Sequence, residues 1–217
     1  MGKSDQDFTP DDWLVNKKFI YFFFIFWSFL GVAYGAIGSI RFHYLIQNLR
    51  SDFLDILFQK ITLLGEEYAI VPVILLLVFY FPLGKDKEYR NKVIISLFVG
   101  LILGGALPQL GKLLWGDALR PWSVLSDLEP IEGLKMSYRR SFPSGHTTIT
   151  AAWVALWASI ANPKWNAPIL MAFVVLFVAL SRVYLNMHWL HDVLVGGLLG
   201  IFSAYIGLWA GGFNKRT

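Results

Sequence analysis

Residues 19–40 read FIYFFFIFWSFLGVAYGAIGSI, a run without Asp, Glu, Lys or Arg. A helix rises about 1.5 Å per residue, so a hydrocarbon core of about 30 Å takes about 20 such residues to cross. The run is long enough to span a bilayer, and the rest of the chain repeats the pattern. Charge-free blocks recur at residues 68–84, 93–111, 141–163, 165–181 and 193–214, the fourth holding His146. The second and fifth are short and would borrow interfacial residues or cross with little tilt. The expected fold is all-α, a bundle of six transmembrane helices making a single integral-membrane domain over residues 1–217.

Composition agrees. Of the 217 residues 56% are hydrophobic and 16% charged, against about 25% charged in soluble domains. That balance excludes a disordered or nucleic-acid-coating chain and argues against a water-soluble globule. The absence of Cys removes disulfides and thiolate metal sites. The leader before the first block carries Asp5, Asp7, Asp11 and Asp12, and the apolar run is too long for a cleavable signal, so it reads as a retained anchor.

Six spans place both termini on one side. Of the 19 Lys and Arg, ten fall on that side (Lys3, Lys17, Lys18, Lys85, Lys87, Arg90, Lys92, Lys164, Lys215, Arg216) and nine on the other. Setting aside Lys112, Arg120 and Arg182, assigned to chemistry below, leaves ten against six. The positive-inside rule then puts the termini in the cytoplasm.

Between the first two blocks, Phe53, Leu54, Ile56, Leu57, Phe58, Ile61 and Leu64 recur at roughly helical spacing among Asp52, Asp55 and Lys60. An amphipathic helix lying in the interface is expected there. The long connection over 112–140 should turn at Glu129-Pro130 and at Glu132-Gly133. The pairs Gly31/Gly35, Gly100/Gly104, Gly196/Gly200 and Gly207/Gly211 read as close helix contacts.

The polar residues at block ends carry the chemistry, because ionisable groups there are costly to keep. Three clusters share one side in the six-span topology: Lys112 with Arg120-Pro121, then Pro143-Ser144-Gly145-His146, then Ser181-Arg182 with His188 and Asp192. Lys112, Arg120 and Arg182 are three cations without an obvious acidic partner, suited to a multiply charged anion. Ser144 and Gly145 precede a helix whose first amides favour an oxyanion. His188 and Asp192, four apart, share a helix face. Asp192 can therefore hold one imidazole nitrogen and leave the other as a nucleophile. His146, from another span, is placed to act as general acid. Together these specify phosphoryl transfer with no metal or cofactor. A metal site drawn from His188, His191, Asp192 and His146 ranks lower, since three crowding cations would oppose it. His43 reads as an interfacial histidine.

Those residues resemble the signature of the type 2 phosphatidic acid phosphatase superfamily, in its membrane lipid-phosphate phosphatase branch. The likeness spans Lys112 to Asp192, where the second and third motifs match without a gap. The first has seven residues between Lys and Arg-Pro where the family usually has six. Eight positions along an unbroken helix turn the face by about 80°, so a helix break at Gly116-Asp117 is expected to absorb the extra residue. The resemblance implies His188 as a nucleophile forming a phosphohistidine, Asp192 orienting it, and His146 protonating the leaving oxygen. Lys112, Arg120, Ser144, Gly145 and Arg182 would hold the phosphoryl oxygens. It also implies a bilayer-held substrate of the polyprenyl pyrophosphate, phosphatidylglycerophosphate or phosphatidate type. Trp115, Trp122 and Trp189 are expected as interfacial belt anchors. The alternatives are a lipid A phosphatase or phosphotransferase using the same site, and a non-catalytic anion transporter. The expected location is the bacterial cytoplasmic (inner) membrane with the site on the extracytoplasmic face, and no nucleic acid partner.

Overall fold

A computed structural model describes residues 14–80, 83–163 and 166–214. The acidic leader, Lys164, Lys215 and Arg216, on which part of the charge count rests, lie outside the described residues. Among the described residues every regular element is helical: α1 (Lys17–Gln47), α2 (Asp52–Thr62), α3 (Glu67–Leu75), α4 (Lys87–Leu114), α5 (Pro121–Val124), α6 (Gly145–Ile160), α7 (Ala167–Tyr184) and α8 (Leu190–Ala210).

Four of these, α1, α4, α7 and α8, are long and apolar enough to cross a membrane. Their outer faces carry Phe24, Phe29 and Val32 of α1, Phe98 and Ile102 of α4, Leu170 and Phe177 of α7, and Phe202 of α8, all exposed. A water-soluble monomer does not show so continuous an apolar surface. This is an integral membrane protein. The blocks at 68–84 and 141–163 are helical but shorter. The first is α3, with Pro72 inside it, running into a π turn over Leu76–Tyr80; the second is α6, 16 residues long.

Local chemistry starts and stops the helices. The Asn16 side chain accepts from Phe19 N–H at 3.0 Å, its backbone N–H donates to Ser159 Oγ at 3.1 Å, and α1 begins pinned to the end of α6. Gly38 sits at φ 73° and kinks α1 into two pieces, a positive-φ position that favours glycine. Asp86 caps α4 through Tyr89 N–H at 2.7 Å. α4 stops at Leu114 and turns through Trp115, Gly116 and Asp117.

α6 is the hub, buried on most sides between α4, α7 and α8. Lipid gives helices little hydrophobic reason to associate, so close backbone approach carries the packing. Gly196 and Gly200 of α8 lie on Ser144 O and Thr148 O of α6, while Gly207 and Gly211 lie on Ser96 of α4. Gly100 and Gly104 of α4 face Leu156 and Ala152 of α6. Gly31 and Gly35 have nothing within 4 Å, so the expected contact at that pair does not form. Their face of α1 lies on the outside of the bundle.

α2 forms where an amphipathic helix was expected and packs on the end of α7, with Phe58 against Tyr184 at 4.5 Å between ring centres. Phe53 and Ile56 point away, exposed. In the long connection the turn at Glu132-Gly133 forms, with Gly133 at φ 76°. Glu129-Pro130 forms no turn; the chain has already turned at Ser126-Asp127.

Candidate active site

The three sequence clusters meet at one end of the bundle. There α4 and α7 finish and α6 and α8 begin. Ser144 N–H donates to Asp192 O at 3.1 Å, joining the starts of α6 and α8. Pro143 lies directly on Gly111, where any side chain would collide, and this seats the end of α4 beside the α6 start. The Lys112 ammonium reaches to 3.4 Å from where a Cβ on Gly145 would stand. The break after Leu114 returns the chain, so the extra residue before Arg120 does not throw Lys112 off the site.

Arg120 is buried, and its guanidinium is spread over backbone carbonyls. Nε donates to Arg139 O at 2.9 Å, Nη1 to Met187 O at 3.0 Å and Nη2 to Arg140 O at 3.3 Å. One side chain thus ties the approach to α6 to the residue just before His188. Burial works against its charge and the Asp192 carboxylate favours it. Arg182 donates from Nη1 to Thr62 Oγ1 at 2.7 Å, while its Nε is buried without a partner. Among the described residues none of Lys112, Arg120 and Arg182 is in an ion pair. A buried guanidinium with an orphaned N–H near two further cations is an arrangement that can hold an anion.

His188 and Asp192 are both buried, Nδ1 standing 3.4 Å from Oδ2. That is a loose contact, of a kind that tightens when a catalytic site fills. Oδ2 also accepts from the Ser141 hydroxyl at 2.5 Å and from Trp189 N–H at 2.9 Å, so the carboxylate cannot swing. His188 lies between α7 and α8, where burial holds its imidazole well below the ordinary value; Arg182 and Arg120 add to this and Asp192 opposes it. The ring is therefore neutral, with a lone pair on one of its two nitrogens.

The other expected residues are placed as follows. Ser144 caps α6, its Oγ 3.5 Å from Thr147 N and 3.0 Å from Thr147 Oγ1, while its backbone N–H donates to Asp192 O. Gly145 and His146 are left at the open helix end. His146 Nε2 meets Glu66 Oε1 at 2.9 Å. His191 bridges Ser39 and Asp192, with Nδ1 on Ser39 Oγ at 3.0 Å and Nε2 3.2 Å from Asp192 Oδ1. Trp189 is no belt anchor: it is buried, with Nε1 donating to Leu119 O at 2.8 Å. His43 is not interfacial either; it is fully buried on Asn186 Oδ1 at 2.8 Å.

The sequence family model for the PAP2 superfamily matches residues 93–216, more than half of the chain and the whole of the converging set. The protein belongs to the PAP2 superfamily. The chain is 30% identical over 142 residues to an undecaprenyl-diphosphatase of Sulfolobus acidocaldarius, covering 65% of this chain and 63% of that protein. It spans less than two thirds of the length of the curated relatives it matches. Among solved structures, Aquifex aeolicus LpxE superposes with a TM-score of 0.65 at 26% identity, over 79% of this chain and 94% of that one. A PAP2 type phosphatidylglycerolphosphate phosphatase from Bacillus subtilis gives 0.59 at 22% identity, over 92% of this chain and 98% of that one.

Several residues of this PAP2 site escape motif reading. Ser141 and Glu66 touch Asp192 and His146 from outside the signature or from its edge. Ser39, His43 and Gln47 hold His191, Asn186 and the Tyr184 carbonyl respectively. Their i, i+4, i+8 spacing, a polar stripe on one face of an apolar helix, is the signal that finds them.

Proposed function

We propose that this PAP2 protein is a metal-independent membrane phosphatase acting on a lipid phosphomonoester or pyrophosphate. What carries the reading is the buried His188–Asp192 pair near three cations that form no ion pair among the described residues. Lys112, Arg182, the free amides of Gly145 and His146, and the remaining N–H of Arg120 hold the phosphoryl oxygens. His188 Nε2 attacks phosphorus, the P–O bond to the leaving group breaks, and its electron pair takes a proton from His146. Asp192 stabilises the charge that grows on His188. Water then attacks the phosphohistidine, giving a proton to His146 as the P–N bond breaks and His188 regains its lone pair.

The bilayer layout belongs to the same proposal. The chain forms one domain with six spans, α3 with its π turn and α6 adding to the four long helices, and α2 lies in the interface. Both termini face the cytoplasm, and the site opens on the extracytoplasmic face of the cytoplasmic membrane. A polyprenyl pyrophosphate is the favoured substrate, supported by the likeness to the Sulfolobus undecaprenyl-diphosphatase.

The test is phosphate release from polyprenyl pyrophosphate in detergent with excess chelator present. Turnover that persists with chelator and vanishes in His188→Ala supports the reading. Turnover retained by His188→Ala overturns it.

A further inference from the structure

The strap that joins α2 to α3 crosses the site and delivers one carboxylate to the second histidine. Thr62 Oγ1 takes the Arg182 hydrogen bond at 2.7 Å, and Leu64 O accepts from Trp153 Nε1 at 3.3 Å. Gly65 lies against His146 so closely that a Cβ there would stand 2.8 Å from the histidine Cβ. Pinned at these points, the strap presents Glu66 in an extended conformation at φ −86° and ψ 152°, with Oε1 2.9 Å from His146 Nε2. Nothing in the three sequence clusters includes it.

We propose that Glu66 is a positioning residue for the general acid: its carboxylate holds His146 through Nε2 and turns Nδ1 toward the leaving oxygen. The inference rests on the phosphohistidine reading above. The site then holds two histidine–carboxylate pairs with opposite tasks. His188–Asp192 supplies the nucleophile, and His146–Glu66 supplies and retrieves the proton. In the first half-reaction the P–O bond breaks, the leaving oxygen keeps the electron pair, and the Nδ1 proton of the imidazolium moves to it. Neutral His146 remains, still donating Nε2–H to Glu66. In the second half-reaction Nδ1 takes a proton from the attacking water. The carboxylate stabilises the imidazolium and fixes its tautomer afterwards.

The distinguishing observable is dependence on the leaving group. A phenolate of pKa about 10 needs a proton as it departs, whereas a 4-nitrophenolate departs readily without one. kcat/KM contains this departure even when a later step limits kcat. The purified full chain, Glu66→Gln, Glu66→Asp, His146→Ala and His188→Ala are compared on phenyl phosphate and 4-nitrophenyl phosphate. Expected is a loss of kcat/KM in Glu66→Gln at least about tenfold greater on phenyl phosphate, the order of one general acid–base contribution. Glu66→Asp recovers part of it, and adding Glu66→Gln to His146→Ala costs nothing further. Equal losses on both esters in Glu66→Gln, with His146→Ala still selective, would overturn the assignment and leave the wider reading intact. A rise on both esters would also overturn it, because Glu66 would then be a competitor for the anion site. If His146→Ala shows no selectivity, or His188→Ala retains turnover, the phosphohistidine reading itself falls. Should Glu66→Gln not fold, Glu66→Asp carries the comparison alone: a carboxylate set one methylene back should give a selective loss smaller than that of His146→Ala, and equal losses on both esters would overturn the assignment.

Discussion

His188 Nδ1 and Asp192 Oδ2 face each other at 3.4 Å with side chains 2% and 0% exposed, one turn apart at the start of α8. Two donors, the Ser141 hydroxyl and Trp189 N–H, clamp that same oxygen. The carboxylate is thereby fixed before any substrate arrives, and only the imidazole has freedom to adjust.

Asp192→Asn keeps the shape and removes the charge. The amide has one oxygen to satisfy Ser141, Trp189 and His188, and nothing to offset a cationic ring. Loss of up to about 10⁴ in kcat is expected, the size seen when a catalytic histidine loses its carboxylate partner. Ser141→Ala removes one charge-assisted bond worth about 1.5–3 kcal/mol, so about a tenfold to hundredfold loss is expected. Steady-state phosphate release with both variants, checked by size-exclusion elution in detergent, measures this.

Burial keeps His188 neutral, and that makes stability depend on pH. The unfolded chain binds a proton below about pH 6.5, whereas the folded ring refuses it until well below that. Stability contributed this way is present above about pH 6.5 and is lost as pH falls through the window beneath it. One such group contributes a slope of up to about 1.4 kcal/mol per pH unit. Thermal unfolding in detergent between pH 7.5 and 5 should show a falling Tm, and His188→Gln should flatten the fall.

The sequence exposes much of this site because its chemistry is expensive in a membrane. Lys112, Arg182, His188 and Asp192 interrupt apolar runs or stand at their ends; His188 stands two residues before α8 rather than on it, yet still meets Asp192 across the helix start. Glu66 was hidden for the opposite reason. It sits in a short polar connection where an acidic residue is unremarkable, and only the fold brings Thr62–Glu66 across the mouth of the bundle. His43 was misjudged because a histidine at a block end looks interfacial, while the break at Gly38 turns that end of α1 inward onto Asn186. Ser144, a phosphate donor by its motif, also caps α6: its Oγ lies 3.0 Å from Thr147 Oγ1 and its N–H donates to Asp192 O.

Arg120 has a positioning task that charge alone cannot perform. Its fork holds the carbonyls of Arg139, Arg140 and Met187, and a Lys cannot reach all three. Arg120→Lys keeps the cation but leaves the Met187 carbonyl short of a partner, at a cost of about 1–3 kcal/mol. The expected outcome is a lowered Tm together with a kcat/KM loss of about tenfold or more. An effect confined to activity, with Tm unchanged, would show that the carbonyl contacts do not matter to the fold.

The glycine pairs separate by what they face, and that yields a matched stability test. A Cβ on Gly200 would run into Thr148 O and Ala151 Cβ, while a Cβ on Gly31 would meet nothing within 4 Å. Forcing α8 away from α6 at Gly200 also shifts Asp192, two turns earlier on the same helix, relative to the α6 start. Gly200→Ala is therefore expected to destabilise by about 1–3 kcal/mol, as overpacked cores do, and to lower activity with it. Gly31→Ala faces outward in α1 and should be neutral or slightly stabilising, since alanine favours helix by about 1 kcal/mol over glycine. Paired Tm measurements in one detergent decide between this and uniform helix packing at all four pairs. A Gly31→Ala protein as unstable as Gly200→Ala would mean that α1 packs against something in the membrane at that face.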